Sequence, residues 1–433
     1  MLKLLLKKVV VFVITLQAKL VLAKYKPRII AVTGSVGKTS TKDAIYAVLS
    51  DHEFVRKSEK SFNSDIGVPL TILGRPNAWN NPLGWLSNIV AGLVLLLTKR
   101  HYPKWLVLEV GADRPGDIKK IAHWLTPDVV VVTRLANVPV HVEYFSSAEE
   151  VFMEKAELIK AMKSDGSLVL SHDDAHVLSL QNIVRTGVFT FGFSEGSDVR
   201  GFKVKVVYHG RKVKRPIGMS FYISHKEKNA EITLQGTVGR QIPYALLAAA
   251  TVAIRLGITL DEISKAFAHY QSQVGRMKLI EGIKDTTIID DSYNSSPVAV
   301  REALDVLASL SLKGRKIAVL GDMLELGRFS VQEHKEIGSY AASQTDILIT
   351  VGPRGRDFAL GARQAGMQKE NVIECNDAET AARILLECII PADIVLIKGS
   401  QGVRMERTVE ALMAQPKEKE KLLVRQEEEW QRR

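Results

Sequence analysis

The sequence predicts an α/β protein built as a central P-loop domain with a mostly parallel sheet, followed by a Rossmann-like C-terminal α/β domain. Three observations carry that prediction. First, "PRIIAVTG" (27–34) is a continuous apolar run ending at a glycine turn, and "KTSTKDAIYAVLS" (38–50) resumes at helical spacing, the pattern of a buried strand feeding a helix. Second, "WLVLEVG" (105–111), "VVVVT" (129–133) and "SLVLS" (167–171) are further buried-strand runs with helical stretches between them. Third, a new set begins near Gly275: "TTIIDD" (286–291), "RKIAVLGD" (315–322), "DILITVG" (346–352) and "ADIVLIKG" (392–399). Between the two sets, from about Gly196 to Gly236, "VRGFKVKVVYHG", "GMSFYISHK" and "AEITLQG" alternate apolar and polar residues, as antiparallel strands do. "PYALLAAATVAIRLG" (243–257) then reads as an apolar helix stopped by Gly257.

These elements divide the chain into an N-terminal hydrophobic, basic helix (1–27), the central domain (28–274), the second α/β domain (275–413) and a charged tail (414–433). The tail, "AQPKEKEKLLVRQEEEWQRR", has no evident apolar face and is expected to be a solvated or frayed end.

Composition narrows the class. With 46% hydrophobic and 25% charged residues the chain is globular, not disordered. A net charge of +11 suits nucleic acid, an anionic membrane surface or phosphorylated substrates. Aromatics are only 6% and are not interleaved with basic residues, so no nucleic-acid partner is expected. The two cysteines, Cys375 and Cys388, form neither a zinc cluster nor a disulfide framework, which fits a reducing cytoplasm.

Two segments bear on localisation. In "MLKLLLKKVVVFVITLQAKLVLAKYKPR" only ten uncharged residues separate Lys8 from Lys19, whereas a spanning helix needs about 20 apolar residues. No convincing cleavage site follows, because Lys24 and Lys26 come directly after "VLA". The segment reads either as a basic amphipathic helix on the inner membrane face or as a helix packed on the protein's own core. A second stretch, 84–97, holds fourteen uncharged residues and reads as a buried or interfacial helix. The expected location is the cytoplasm, with peripheral contact at the inner face of the membrane, and the expected state is a monomer.

The chemistry starts at "TGSVGKTS" (33–40). Gly34 and Gly37 permit a backbone that aims N–H groups at phosphate oxygens, with Ser35 and Val36 between them. Lys38 places a cation on the terminal phosphates, Thr39 offers a hydroxyl to Mg²⁺, and Ser40 continues the helix start. The loop is short: the full pattern wants a glycine where Val32 stands. Glu109 closes the strand "WLVLE", where a carboxylate faces the ligand crevice of an α/β sheet and suits a nucleotide-bound Mg²⁺. Read alone, Glu109 could equally cap a loop, His141 could be a structural histidine, and Lys155, beside Glu154 and Glu157, could sit on a solvated helix face.

The loop is followed in order by "SFNSDIGVPLTIL" (61–73), "VLEVGADRPGDI" (107–118), "VHVEYFSSAEEVFMEKAELI" (140–159), "GRMKLIEG" (275–282), "IDDSYNSSPVAVREAL" (289–304), "VLGDMLELG" (319–327) and "IKGSQGVRME" (397–406). Over about residues 28–412 the chain resembles the Mur ligase family of ATP-dependent amide ligases. "DDSYN" and "VLGDMLELG" point to the branch that adds D-alanyl-D-alanine to a muramyl-tripeptide.

The resemblance implies that ATP phosphorylates a carboxylate of a peptidoglycan precursor. An amine, here a D-amino-acid dipeptide, then attacks the acyl phosphate. It implies that Glu109 with Thr39 binds Mg²⁺, that His141 holds a second Mg²⁺, and that Lys155 is the carbamylated lysine. Asn63 and Ser64 fall where the family has an Asn pair near phosphates and substrate, and Arg276 would reach over the phosphates. Asp291, Tyr293 and Asn294 would hold ribose and adenine, and Lys398, Gly399 and Ser400 would line the amine's side. Without the resemblance, Tyr293 reads as core edge, Arg276 as a surface ion pair, and Asp290 and Asp291 as strand-end caps.

Three departures stand out. The resemblance implies a uridine-nucleotide-binding domain ahead of the loop, and with the loop opening at Gly34 that domain is not expected here. "GRHNxxNALAA" reads "GRQIPYALLAA" (239–249), with Gln241, Ile242 and Ala245 in place of a His and two Asn. Gln401 replaces the arginine of "KGSR". The alternatives are therefore a related ligase with another carboxylate acceptor, such as a folate-type one, and a catalytically silent nucleotide-binding protein at the membrane. Lys38, Glu109, His141 and Lys155 argue against the silent reading. An amidating subunit with a four-cysteine zinc ribbon is excluded by two cysteines.

Overall fold

A computed structural model describes residues 2–59, 62–112, 114–135, 145, 147–185, 187–210, 214–311, 313–427 and 430. Apolar runs such as "IIAV" and "VVVV" can be buried on both faces only inside a parallel sheet covered by helices. They take that place. The first sheet comprises β1 (Arg28–Thr33), β2 (Val55–Lys57), β3 (Trp105–Glu109), β4 (Val129–Val132), β5 (Ser167–Ser171), β6 (Val188–Gly192), β7 (Val199–His209), β8 (Arg215–His225) and β9 (Lys228–Gln235). Its order is β2-β3-β1-β4-β5-β6-β7-β8-β9. Pairing is parallel from β2 through to β7 and antiparallel across β7-β8-β9, where the sequence begins to alternate.

The second sheet joins β10 (Lys278–Glu281), β11 (Thr287–Asp291), β12 (Lys316–Gly321), β13 (Ile347–Val351), β14 (Val372–Cys375) and β15 (Ile394–Lys398), in the order β10-β11-β15-β12-β13-β14. The strands β2, β10 and β14 are only three, four and four residues long, too short to stand out in the sequence.

Helices on the first domain's side of the molecule include α1 (Leu2–Tyr25), α2 (Lys38–Leu49), α3 (Gly67–Leu73), α4 (Pro82–Leu97), α5 (Asp117–Ala122) and α6 (Ala148–Lys160). α1 is not a separate appendage. Ile14, Ala18 and Val21 are fully buried in the same core as Leu106, Leu108 and Val130 of the sheet. α1 also lies against α4. Gln17 Nε2 donates to Ile89 O at 2.9 Å, and a Cβ at Gly92 would come within 2.4 Å of Gln17 Oε1, so glycine permits the approach. Lys24 Nζ donates to the carbonyls of Leu95, Leu96 and Thr98 at 3.1, 2.7 and 2.6 Å, a cation on the negative end of α4.

The tail differs from its expectation as a solvated end. Leu423, Val424 and Arg425 are buried. Leu423 joins the core under the second sheet, because "LLV" inside the charged tail supplies enough apolar surface to dock.

Candidate active site

One wall of the site forms where β1 ends. Gly34 takes φ +138°, and a Cβ there would fall 1.9 Å from Thr133 Oγ1, so only glycine lets the loop pass β4. Ser35 N and Val36 N donate to Arg134 O at 2.9 and 3.3 Å, which anchors the loop. Gly37 (φ +86°) precedes α2 and brings no capping side chain, so the first N–H groups of α2 face the cleft with their positive dipole end. Lys38 Nζ lies over the loop, 2.9 Å from Gly34 O.

Parallel register pairs Val32 with Glu109, so the Glu109 carboxylate emerges beside the loop. Asn63 Nδ2 donates to Glu109 Oε1 at 3.1 Å, while Glu109 Oε2 is buried without a hydrogen-bond partner. Lys42 Nζ stands 3.9 Å from Glu109 Oε2 and 3.6 Å from Asp43. Burial pushes the Lys42 ammonium below its ordinary value, and the two carboxylates offset part of this. Lys155, on α6, is buried and opens on the same cleft. Burial, reinforced by the Lys38 charge and opposed by Glu154, brings Lys155 down to about 7. Glu154 is not part of a solvated face: it accepts the N–H groups of Gly116, Ile118 and Lys119 at 2.9, 2.6 and 3.1 Å and so caps α5.

The other wall forms at the ends of β11 and β15, whose register sets Asp291 beside Lys398. Lys398 Nζ donates to Asp291 Oδ2 at 2.6 Å and to Asn294 O at 2.9 Å. Burial raises the Asp291 carboxyl, with Lys398 and Arg276 opposing. Arg276, at the junction of the two sheets, stacks over the Tyr293 ring at 4.3 Å and donates from Nε to Gln273 Oε1 at 3.3 Å. Ser400 Oγ accepts Leu324 N at 2.9 Å.

Between the walls lies a cleft of about 750 Å³. Gly34, Ser35, Val36, Gly37, Lys38, Thr39, Asn63, Glu109 and Lys155 line it on one side, and Arg276, Asp291, Tyr293, Asn294, Lys398 and Ser400 on the other. Ser40, Ser64 and Gly399 do not line it. The Ser40 carbonyl accepts from Tyr270 at 3.5 Å, Ser64 Oγ accepts Gly67 N at 3.4 Å ahead of α3, and Gly399 lets the chain pass Met405 and Gly321. His141 lies outside the described residues.

The Mur ligase middle-domain profile matches residues 32–253, and the profile of the Mur ligase glutamate ligase domain matches residues 275–401. The chain belongs to the Mur ligase family. It is 29% identical over 400 residues to the UDP-N-acetylmuramoyl-tripeptide–D-alanyl-D-alanine ligase of Bacillus subtilis, covering 92% of this chain and 79% of that one. It is 28% identical to the Escherichia coli protein of the same name, covering 89% and 76%. Its fold is similar to that of a MurF ligase from Thermotoga maritima crystallised in complex with ADP, with a TM-score of 0.75, 27% identity, and 95% and 84% of the two chains covered.

As a Mur ligase site the cleft has donors that suit Mg²⁺. The Thr39 hydroxyl and the unpartnered Glu109 oxygen are the oxygen ligands that ion takes beside phosphates and water. Among the described residues no three His, Cys, Asp or Glu side chains gather into a metal site of their own.

Sequence reading missed several participants. Lys42 and Asp43 form a buried relay, with Asp43 bound to Lys57 at 2.7 Å and to Gln273. The signal was available: Lys42 is one helical turn beyond Lys38. Arg404, inside the "IKGSQGVRME" run but given no role there, and Trp430 also line the cleft.

Proposed function

We propose that the protein uses ATP and Mg²⁺ to join D-alanyl-D-alanine to a muramyl-tripeptide carboxylate, with release of ADP and phosphate. The observation that carries this is the cleft itself, which sets a phosphate loop, a buried carboxylate and a buried lysine opposite a second wall of cations. In the first step a substrate carboxylate oxygen attacks the terminal phosphorus of ATP and ADP leaves. In the second the dipeptide's amine attacks the acyl carbon, loses a proton and expels phosphate.

The α2 N-terminus and Lys38 hold the phosphates and neutralise charge that shifts in transfer. Thr39 and Glu109 would hold Mg²⁺, which adds positive charge there. Arg276 approaches the same phosphates, the Asp291–Asn294 loop takes the nucleoside, and Lys398 and Ser400 border the amine's side. Lys155 is the residue for carbamylation: its amine titrates near neutrality, and addition of CO₂ gives the anionic oxygen donor that the cation site uses. The relatives named for this reaction support the choice of substrates. The test is phosphate release with ATP, Mg²⁺ and muramyl-tripeptide acceptors, with and without D-alanyl-D-alanine. Release that ignores the dipeptide sinks the reading.

No helix among the described residues is long and apolar enough to cross a membrane. We place the protein as a monomer on the cytoplasmic membrane face, held by α1 and α4. Leu83, Leu86, Val90, Leu93 and Leu97 repeat at alternating three- and four-residue spacing on α4, and all are exposed, Leu97 by 84%. Val9, Phe12, Leu16 and Leu20 form the matching exposed stripe on α1. Exposed Lys7, Lys8, Lys19, Lys26, Lys99 and Arg100 border them, the complement of an anionic lipid surface. Deleting α1 would strip the core of Ile14, Ala18 and Val21, so the test uses Phe12→Glu with Leu97→Glu. Wild-type protein should float with anionic vesicles at low salt and the double variant should not. Equal recovery in the soluble fraction removes the membrane reading.

A further inference from the structure

The chain beyond residue 401, where the match to the family's second domain ends, returns to the cleft. Val424 packs on Gly275, whose Cβ would lie 2.7 Å from Val424 Cγ1. Next to it Arg425, buried and at φ +61°, donates from Nη1 to Ser292 O at 3.1 Å and to Glu406 Oε2 at 2.9 Å, and from Nη2 to Tyr293 O. Glu406 is itself buried, and its other oxygen accepts Arg404 Nε at 2.5 Å. Arg404 Nη1 donates to Trp430 O at 2.9 Å, and both guanidinium groups lie over the Trp430 ring, at 5.6 and 5.7 Å.

The loop carrying Tyr293 and Asn294 is thus held from two sides. Lys398 takes Asp291 and the Asn294 carbonyl, and Arg425 takes the carbonyls of Ser292 and Tyr293. A planar guanidinium can reach two carbonyls and a carboxylate at once, whereas an ammonium on a flexible stem cannot hold that geometry. A carbonyl left buried without a donor is costly, so the loop would have to move if the fork were lost.

We infer that residues 423–427 and Trp430 act as a strap that shapes the nucleoside pocket for adenine nucleotides, with Arg425 a positioning residue for the Tyr293 loop and Trp430 a wall of the pocket. The strap rests on the cleft being a nucleotide site, and it adds a base-selecting element that the matched domain does not contain.

The experiment is direct binding of Mg-ATP and Mg-GTP by calorimetry to the full chain, which needs no acceptor. Arg425→Ala would leave Glu406 buried without its partner and could fail to fold. The variants are therefore Arg425→Lys, which keeps the charge, and Trp430→Ala, each checked for wild-type melting behaviour. Arg425→Lys is expected to weaken ATP about tenfold and GTP far less, so the ATP-to-GTP preference narrows, and Trp430→Ala should do the same by a few fold. Lys38→Ala, acting on phosphates common to both, should weaken both nucleotides equally. The inference is overturned if folded Arg425→Lys and Trp430→Ala keep wild-type affinity and preference, or lose both nucleotides in parallel. A wild-type chain that binds neither nucleotide overturns the site reading itself. A chain that binds ATP but makes no amide leaves the strap standing and removes only the choice of substrates.

Discussion

The two walls of the cleft hold their charges differently. On the first, charged side chains hold one another: Lys42 lies between Asp43 and Glu109, and Asp43 also takes Lys57. On the second, each cation pairs with a carboxylate, Lys398 with Asp291 and Arg425 with Glu406, and also holds the backbone of one loop, Lys398 on Asn294 O and Arg425 on Ser292 O and Tyr293 O. The first wall is therefore fixed by regular elements, a strand end and a helix start. The second is fixed by residues more than a hundred positions from the loop they hold. Damage to the first should appear in turnover, and damage to the second in nucleotide affinity and choice.

Lys38→Ala is the harshest test of that division. Losing a charge-assisted contact to the transferring phosphoryl group should cost about 3 kcal/mol or more, roughly a hundredfold in rate. The fold should survive, because Lys38 is half-buried at the open end of α2, where its ammonium lines the cleft and bonds to the Gly34 and Ser35 carbonyls. Phosphate release gives the rate and circular dichroism the fold. Unchanged release would move the chemistry off the first wall.

Lys155 gives a pH-dependent test on the same wall. Its folded value of about 7 lies below the ordinary 10.5. Between those values the unfolded chain binds more protons, so this group makes stability rise with pH across that window, while below it both states carry the proton. The neutral amine that adds CO₂ is scarce at pH 6 and dominant at pH 8. Bicarbonate should accordingly stimulate activity more at pH 8 than at pH 6. Lys155→Ala should be nearly inactive at both, with partial recovery on adding short carboxylic acids. A pH profile with and without bicarbonate checks this, and indifference to bicarbonate throughout would remove carbamylation.

The difference between the walls also explains what could be read in advance. Residues 33–39 could be read because a glycine turn between a strand and a helix has one geometry, and Glu109 because a strand's last residue faces the crevice. The parallel sheets followed from runs such as "VVVV", and the antiparallel strands of residues 199–235 from their alternation. Lys155 was ambiguous because its neighbour Glu154 looks like a solvated charge until the three α5 N–H groups it accepts are seen. α1 was ambiguous for a related reason: it buries Ile14, Ala18 and Val21 and exposes Phe12 and Leu16, so both readings of its sequence hold on different faces. Arg425 and Trp430 could not be read at all. In sequence they belong to a charged end, and their role depends on a chain reversal that no local pattern encodes.

The mildest prediction concerns how far the walls are independent. Glu302, on the helix Pro297–Ser309, accepts Arg134 Nη1 on one oxygen and Gln241 Nε2, at 2.7 Å, on the other. It is a direct link from the second domain to the residue whose carbonyl anchors Ser35 and Val36. Glu302→Gln keeps the shape and removes the charge. The pair is partly exposed, with side chains 30% and 18% accessible, so screening limits its worth to about 1 kcal/mol or less, at most roughly fivefold in ATP affinity. High salt should shrink the gap between variant and wild type, because added ions already weaken the wild-type pair. Titrating ATP at low and high salt measures both effects. A fivefold or smaller, salt-sensitive change means that the cleft is two separately built walls brought together by a weak contact. A hundredfold change, insensitive to salt, would mean instead that Arg134 transmits the position of the second domain into the phosphate loop, and the two walls would then have to be treated as one structure.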